Sequence, residues 1–316
     1  MNLLKELTQI CAPSGNEEKI RNFIIRSVEG YVDELNIDNL GNLIAVKKST
    51  RIGAKKVMLA AHMDEVGLIV TYIDDNGFAR FGEIGRINPN SLANSTVIFT
   101  NGAAGIVRFE GTSKDKLEYK KMFIDASGVN IGDTASFARN FSETEEHIFS
   151  NALDDRVGCY ILIELIRQIT NPSDDIYFVF TAQEELGLRG ATVSAFGIES
   201  DIAFAIDVTP AYDFPGADKG AVKLGEGIAV KIKDNSIICH SKVKTMLIDT
   251  AIKLNLKYQL EVLTTGGTDA GAIHLTKNGI PSGVLSIPTR YIHSGCEVVC
   301  KRDIYDAIAI FKEILK

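Results

Sequence analysis

Ile176-Tyr177-Phe178-Val179-Phe180-Thr181-Ala182-Gln183-Glu184-Glu185 is the stretch on which the reading of this chain turns. A short β-branched and aromatic run without polar alternation describes a strand buried on both faces, and hence one strand of a parallel sheet. It stops at two adjacent carboxylates, followed by Leu186-Gly187-Leu188-Arg189-Gly190. Burying two such charges side by side is costly unless a cation or a proton compensates. The end of this strand is therefore expected to form the floor of an active site.

Three other segments repeat the layout. Val57–Ala61 ends at His62-Met63-Asp64-Glu65, and Ile202–Ile206 ends at Asp207. Ser282–Ile287 leads through Pro288-Thr289-Arg290-Tyr291-Ile292 to His293. In open α/β sheets, ligands gather beyond the carboxyl ends of the strands. Four such endings with metal-ligand residue types point to one shared site.

Around these strands the chain alternates between helix and strand. Amphipathic periodicity marks helices near Leu3–Cys11 and Glu17–Val28, and Leu35–Val46 alternates around Gly41 as a hairpin or two strand pieces. After Asn151-Ala152-Leu153-Asp154-Asp155-Arg156, a helix is expected over Val157–Gln168, with acids at its positive end. Helices over Leu188–Phe196, Ser241–Leu254 and Asp303–Leu315 and a strand over Gln259–Leu263 continue the pattern. From Gly67 to about His147 the texture changes to short strands and frequent glycines, with no long helix beyond a short one near Lys114–Lys121. The expected fold is therefore α/β, a mixed and largely parallel sheet flanked by helices. Residues 1–66 and 148–316 would form it, with an all-β barrel or sandwich inserted at 67–147.

Composition narrows the function. The 316 residues are 45% hydrophobic, enough for one large or two modest cores. A net charge of −7 without a basic block argues against a nucleic-acid partner. No apolar run reaches the roughly 18 residues needed to span a bilayer, and Met1-Asn2-Leu3-Leu4-Lys5-Glu6 does not read as a secretory signal. Cysteines 11, 159, 239, 296 and 300 are odd in number and form no CxxC pair, which fits reduced thiols in a cytoplasmic protein.

His62, Asp154, Glu185, Asp207 and His293 are the candidate ligands. Two imidazoles and three carboxylates suit zinc, cobalt or manganese without a thiolate. Five groups serve two ions only if one carboxylate bridges. Asp154 is the natural bridge, because it enters on a helix start rather than a strand end. Two cations about 3.5–4 Å apart can lower the pKa of a shared water toward ~7. Glu184, expected on the opposite pleat from Glu185, is left over to act as general base and acid. Asp64 is placed to orient the His62 imidazole; Asp155 could do the same or simply cap its helix. Gly267, Thr268 and Asp269, in a run of glycines, could line a substrate pocket with backbone N–H groups or form a tight strand-to-helix turn.

His62-Met63-Asp64-Glu65-Val66-Gly67, Ala152–Gly158, Gln183–Ala191, Ile206-Asp207, Gly267–Ala270 and Ile292-His293-Ser294 form an ordered set through nearly the whole chain. This set resembles the dinuclear metallo-aminopeptidases of the M42 family, the tetrahedral and glutamyl aminopeptidases. The resemblance implies His62 and Asp207 on one metal, Glu185 and His293 on the other, and Asp154 between them. It implies Glu184 as catalytic base and Asp64 as the orienting acid. It also implies a zinc-peptidase-like catalytic domain and a PDZ-like β-domain that makes dimers, which assemble into hollow dodecamers. Removal of N-terminal residues from short peptides is the implied activity. The chain departs from the family after His293-Ser294, where Gly295-Cys296 stands in place of the usual Pro and puts a thiol near the site.

Two rivals make different demands. A glycosidase using Glu184 within a carboxylate pair would not need a metal. A non-catalytic assembly with structural metals would close its coordination and leave no role for a spare glutamate.

Overall fold

The computed structural model describes residues 1–112 and 116–316. Helices α1 (Asn2–Thr8) and α2 (Glu18–Val28) lead into the hairpin β1 (Glu34–Ile37) and β2 (Leu43–Lys47), then into β3 (Lys56–His62). Next come β4 (Gly67–Ile73), β5 (Ala79–Ile84), the short α3 (Pro89–Leu92), β6 (Thr96–Phe99), β7 (Ala104–Phe109), β8 (Met122–Ala126) and β9 (Thr134–Phe137). The chain continues through β10 (Phe141–Glu143), β11 (His147–Ser150), α4 (Leu153–Gln168), β12 (Asp175–Thr181), α5 (Arg189–Ile198) and β13 (Ile202–Pro210). It ends with β14 (Ile228–Lys233), α6 (Ser241–Lys253), β15 (Tyr258–Val262), α7 (Ala270–Ile273), β16 (Ser282–Arg290), β17 (Glu297–Cys300) and α8 (Lys301–Ile314).

The large sheet runs in the order β1-β2-β12-β3-β13-β16-β17-β11-β10, with β14 and β15 branching from β16. Its centre is parallel: β12 with β3, β3 with β13, and β13 with β16. The absence of polar alternation in these strands has a direct cause, because both faces are covered. Val57, Leu59, Ala61, Phe178 and Phe180 pack into a large core beneath α1, α2, α4 and α8, while Met58, Ala60 and Val179 meet Ala191, Ala195 and Ile273 on the other side. Each fully buried Phe or Leu contributes on the order of 1.5–3 kcal/mol. Phe204 of β13 meets Phe311 of α8 edge-on at 5.5 Å, which pins the last helix over the sheet.

The six strands from Gly67 to Phe137 close into a barrel in the order β4-β5-β8-β7-β6-β9, around Leu68, Val70, Val97, Phe99, Val107 and Ile124. Among the described residues, several boundaries differ from the sequence reading. β10 pairs with β11 in the large sheet, so the chain has left the barrel well before His147. Lys114 and Asp115, which open the helix expected near Lys114–Lys121, lie outside the described residues; its C-terminal part is a 3₁₀ turn, Tyr119–Lys121. β13 does not stop at Asp207 but runs on to Pro210. None of the described helices is long and apolar enough to cross a membrane.

Candidate metal centre

Parallel register brings the strand ends level. Thr181 of β12 lies beside His62 of β3, and Asp207 follows Ala205 on β13 as His62 follows Ala60 on β3, its partner strand. α4 then delivers Asp154 from above. Asp154 (φ −78°, ψ 107°) and Asp155 (φ −115°, ψ 41°) are non-helical, so the regular turns begin after them, and the peptide between them is cis. Asp155 Oδ1 accepts from the Gly158 N–H at 3.0 Å as a helix cap, and its Oδ2 accepts from the His62 backbone N–H at 3.2 Å. Both alternatives for Asp155 are thus partly met: it caps α4 and touches His62, through the main chain rather than the ring.

The five candidate ligands converge. His62 Nε2 is 3.0 Å from Asp154 Oδ1 and 3.8 Å from Asp207 Oδ1. His293 Nε2 is 3.1 Å from Asp154 Oδ2 and 3.1 Å from Glu185 Oε1. Each oxygen of Asp154 therefore faces a different imidazole. Donor atoms of His62, Asp154 and Glu185 lie within 4.8 Å of one another, as do those of His62, Asp155 and Asp207. Ligand atoms around a tetrahedral ion with bonds of 2.0–2.1 Å sit roughly 3.3 Å apart, so these separations suit a divalent cation.

The electrostatics favour one too. Burial, reinforced by neighbouring acids, pushes Glu184 and Asp207 well above the ordinary carboxylate range, and burial also raises Glu185. Burial opposes charge on the histidines, but the carboxylates outweigh it. Asp154 and Asp64 hold His62 well above the ordinary imidazole value, and Glu185 and Asp154 lift His293 to about 12. Burial acts upward on Asp154 as well, yet His293 and His62 keep its pKa low. Glu185 Oε1 is buried, and the His293 ring lies 3.1 Å from it. A buried cluster with more carboxylates than imidazoles fits a bound divalent cation.

Glu184 and Glu185 do not sit on opposite pleats. β12 ends at Thr181, and Gln183 has a φ of +56°, so strand alternation has ceased before either glutamate. What aims them is Asp64. Its carboxylate accepts from the Glu184 and Glu185 N–H groups at 3.0 and 3.1 Å and from Ser14 Oγ at 2.7 Å. The His62 Nδ1 lies nearer the Asp64 carbonyl (3.1 Å) than its carboxylate (3.5 Å). Asp64 orients the ring mainly through its main chain, and its side chain holds the glutamate turn.

Thr268 and Asp269 are buried, and Thr181 Oγ1 donates to Asp269 Oδ2 at 2.6 Å. The charge of Asp269 reaches Glu184 and Asp207. Of the nearby glycines, Gly266 has a φ of +78°, and a Cβ on Gly271 would fall 2.2 Å from Ser236 Oγ. Cys296 is exposed and belongs to neither ligand group.

Several contributors carried no signal in the sequence. Glu297, buried at the start of β17, accepts from the backbone N–H of both Asp154 and His293. The His293 Nδ1 donates to the carbonyl of Arg86, just after β5, so the barrel reaches into the site. Glu65 is buried between Arg139, at 2.8 Å, and the fully buried Arg156, at 3.4 Å. The polar identity of Glu297 and Glu65 was visible, but the partners come from segments distant in sequence.

A family model described as M42 glutamyl aminopeptidase matches residues 41–310. The lysyl aminopeptidase of Pyrococcus furiosus is 34% identical over 338 residues, covering 99% of this chain and 96% of that protein. The solved structure of aminopeptidase APDkam598 from the archaeon Desulfurococcus kamchatkensis is similar at a TM-score of 0.95 and 38% identity, covering 99% of this chain and 93% of that one. The TET1 peptidase of Pyrococcus horikoshii, described as able to assemble into a tetrahedron or a large octahedral shell, is similar at a TM-score of 0.89 and 30% identity. That match covers 99% of this chain and 98% of the other.

Proposed function

The chain belongs to the M42 glutamyl aminopeptidase family, and from that premise we propose a metal-dependent exopeptidase that removes N-terminal residues from short peptides in the cytoplasm. The observation that carries the reading is Asp154, whose two oxygens face His62 and His293 separately. Two divalent ions, zinc or cobalt with manganese also suited, would be held by His62, Asp207 and Asp154 on one side and by His293, Glu185 and Asp154 on the other. When bound, such a pair supplies an acidified water and polarises the scissile carbonyl.

The chain's own residues do the rest. Glu184 is buried beside the ligands with a raised pKa, which suits a group that takes a proton from the attacking water and returns it to the leaving amine. Asp64 keeps Glu184 and Glu185 at fixed spacing by gripping their amides. Burial of the cluster excludes bulk water, so each charge acts at low dielectric. Thr268 and Asp269, with Gly267, are assigned to the substrate side of the site. Residues 1–66 and 148–316, together with β10 and the start of β11, are the catalytic unit, and the barrel within 67–147 is the dimerising unit. The likeness to the Pyrococcus horikoshii TET1 peptidase supports assembly of those dimers into a closed shell.

Glu184→Gln should leave metal uptake and folding intact while lowering kcat by roughly 10²–10⁴-fold on aminoacyl-anilides. Chelation should abolish the wild-type activity, and Co²⁺ or Zn²⁺ should restore it. Activity that survives chelation would favour the carboxylate-pair glycosidase instead, and a chain that holds metal but turns over no peptide would favour a structural assembly.

A further inference from the structure

We propose that Glu297 is a positioning residue that sets the distance between Asp154 and His293 through their backbone amides; this rests on the ligand roles proposed above. β17 lies between β16 and β11 in the sheet, with Glu297 paired to Ser150 and Val298 to Arg290. The chain leaves β11 for Asp154 and leaves β16 for His293. Glu297, the first residue of β17, therefore sits in the fork between the two outgoing segments. Its carboxylate spans that fork: Oε1 accepts from the His293 N–H at 2.9 Å and Oε2 from the Asp154 N–H at 3.0 Å.

Neither segment is held by a regular ladder. Ala152, Tyr291 and His293 all have left-handed φ values, between +55° and +61°, and Asp154 is outside helical geometry. Left to themselves, such stretches have no repeating hydrogen bonds to set their separation. Two converging donors need one acceptor each, and a carboxylate supplies two oxygens on one rigid frame. An amide supplies one oxygen and turns its NH₂ toward the second donor. With Glu297 only 2% exposed, water is poorly placed to substitute. Asp64 and Asp155 grip amides in the same manner, but Asp64 holds two consecutive glutamates and Asp155 holds His62 and its own helix. Glu297 is the one of the three whose two oxygens accept from the amides of two ligand residues remote from each other in sequence, and it meets both ions' sides of the site through Asp154.

The test is titration of metal-free wild type and Glu297→Gln with Zn²⁺, alongside amide hydrogen exchange of the peptides carrying Asp154 and His293. The variant should bind the ions at least ~10-fold more weakly, the usual effect of losing a partner behind a ligand. It should also exchange faster at one of those two amides, with the other segments unchanged. Wild-type affinity together with unchanged exchange would overturn the inference. Should Glu297→Gln not fold, Glu297→Asp keeps both acceptors on a shorter arm; weakened uptake supports the proposal and wild-type uptake overturns it. Wild-type protein that takes up no Zn²⁺ would overturn the proposed function and this inference together, so the two failures are read from different proteins.

Discussion

Asp154 concentrates the chemistry of this chain into one side chain, since each of its oxygens meets a different imidazole and its amide is held by Glu297. The surrounding charges give a prediction about pH. Glu184, Glu185 and Asp207 have raised values in the fold, Asp269 is raised to about 6 by burial, and Glu297 to about 8, chiefly by burial. A carboxyl raised by folding binds protons that the unfolded chain has released, so stability falls as pH rises from about 4 through the folded-state value. His62 and His293 act in the same sense: their raised values contribute stability fully present below about 6.5 and lost as pH climbs through the folded-state value. The metal-free protein should therefore melt at lower temperature at pH 8 than at pH 5, with Asp269 alone worth about 1.4 kcal/mol over that interval. Excess Zn²⁺ should flatten or reverse that slope, because its ligands bind deprotonated. A metal-free melting temperature that rises over this interval would contradict the charge assignment. The residue types of the cluster were legible in sequence, at the ends of apolar runs or, for Asp154, at a helix start. The amide grips by Asp64, Asp155 and Glu297 were not, because a hydrogen bond to main chain leaves no mark on the partner's identity.

At the scale of elements, the parallel strands could be read because burial on both faces forces continuous apolar runs, as in Ile176–Phe180. β5 could not: its sequence, Ala79-Arg80-Phe81-Gly82-Glu83-Ile84, carries polar side chains on a partly wet barrel wall. β17 is four residues long and opens with a glutamate. The joint between barrel and sheet rests on buried charge. Glu65, just after β3, accepts from Arg139 beyond β9, from the Ala12 N–H, and from Arg156 at the start of α4. Arg156 also donates to the Leu7 carbonyl at 2.6 Å, tying α1 to the same knot. Replacing Glu65 by Gln would leave Arg156 buried without its countercharge. Breaking a buried pair from one side costs about 3–5 kcal/mol, and urea unfolding of Glu65→Gln should register a loss of that order. A loss under about 1 kcal/mol would mean that solvent or another acid relieves the guanidinium.

For the whole molecule, a second contact fixes how the barrel meets the site: the Arg86 carbonyl holds the His293 ring, so the inserted unit reaches the centre it interrupts in sequence. The proposed shell predicts a sedimentation mass near twelve chains at micromolar concentration, and a monomer under those conditions would remove the assembly from the function. By itself the sequence determined the α/β class, the place of the barrel and the identity of the clustered acids and histidines. Each of these is written in local periodicity, in a change of texture, or in residue types unsuited to burial without a partner. Tertiary structure alone decided that Glu184 and Glu185 leave the strand together, that β13 continues beyond Asp207, and which carboxylates hold which amides. Those outcomes depend on contacts between segments many residues apart, set by sheet order and packing, which no local pattern in the chain encodes.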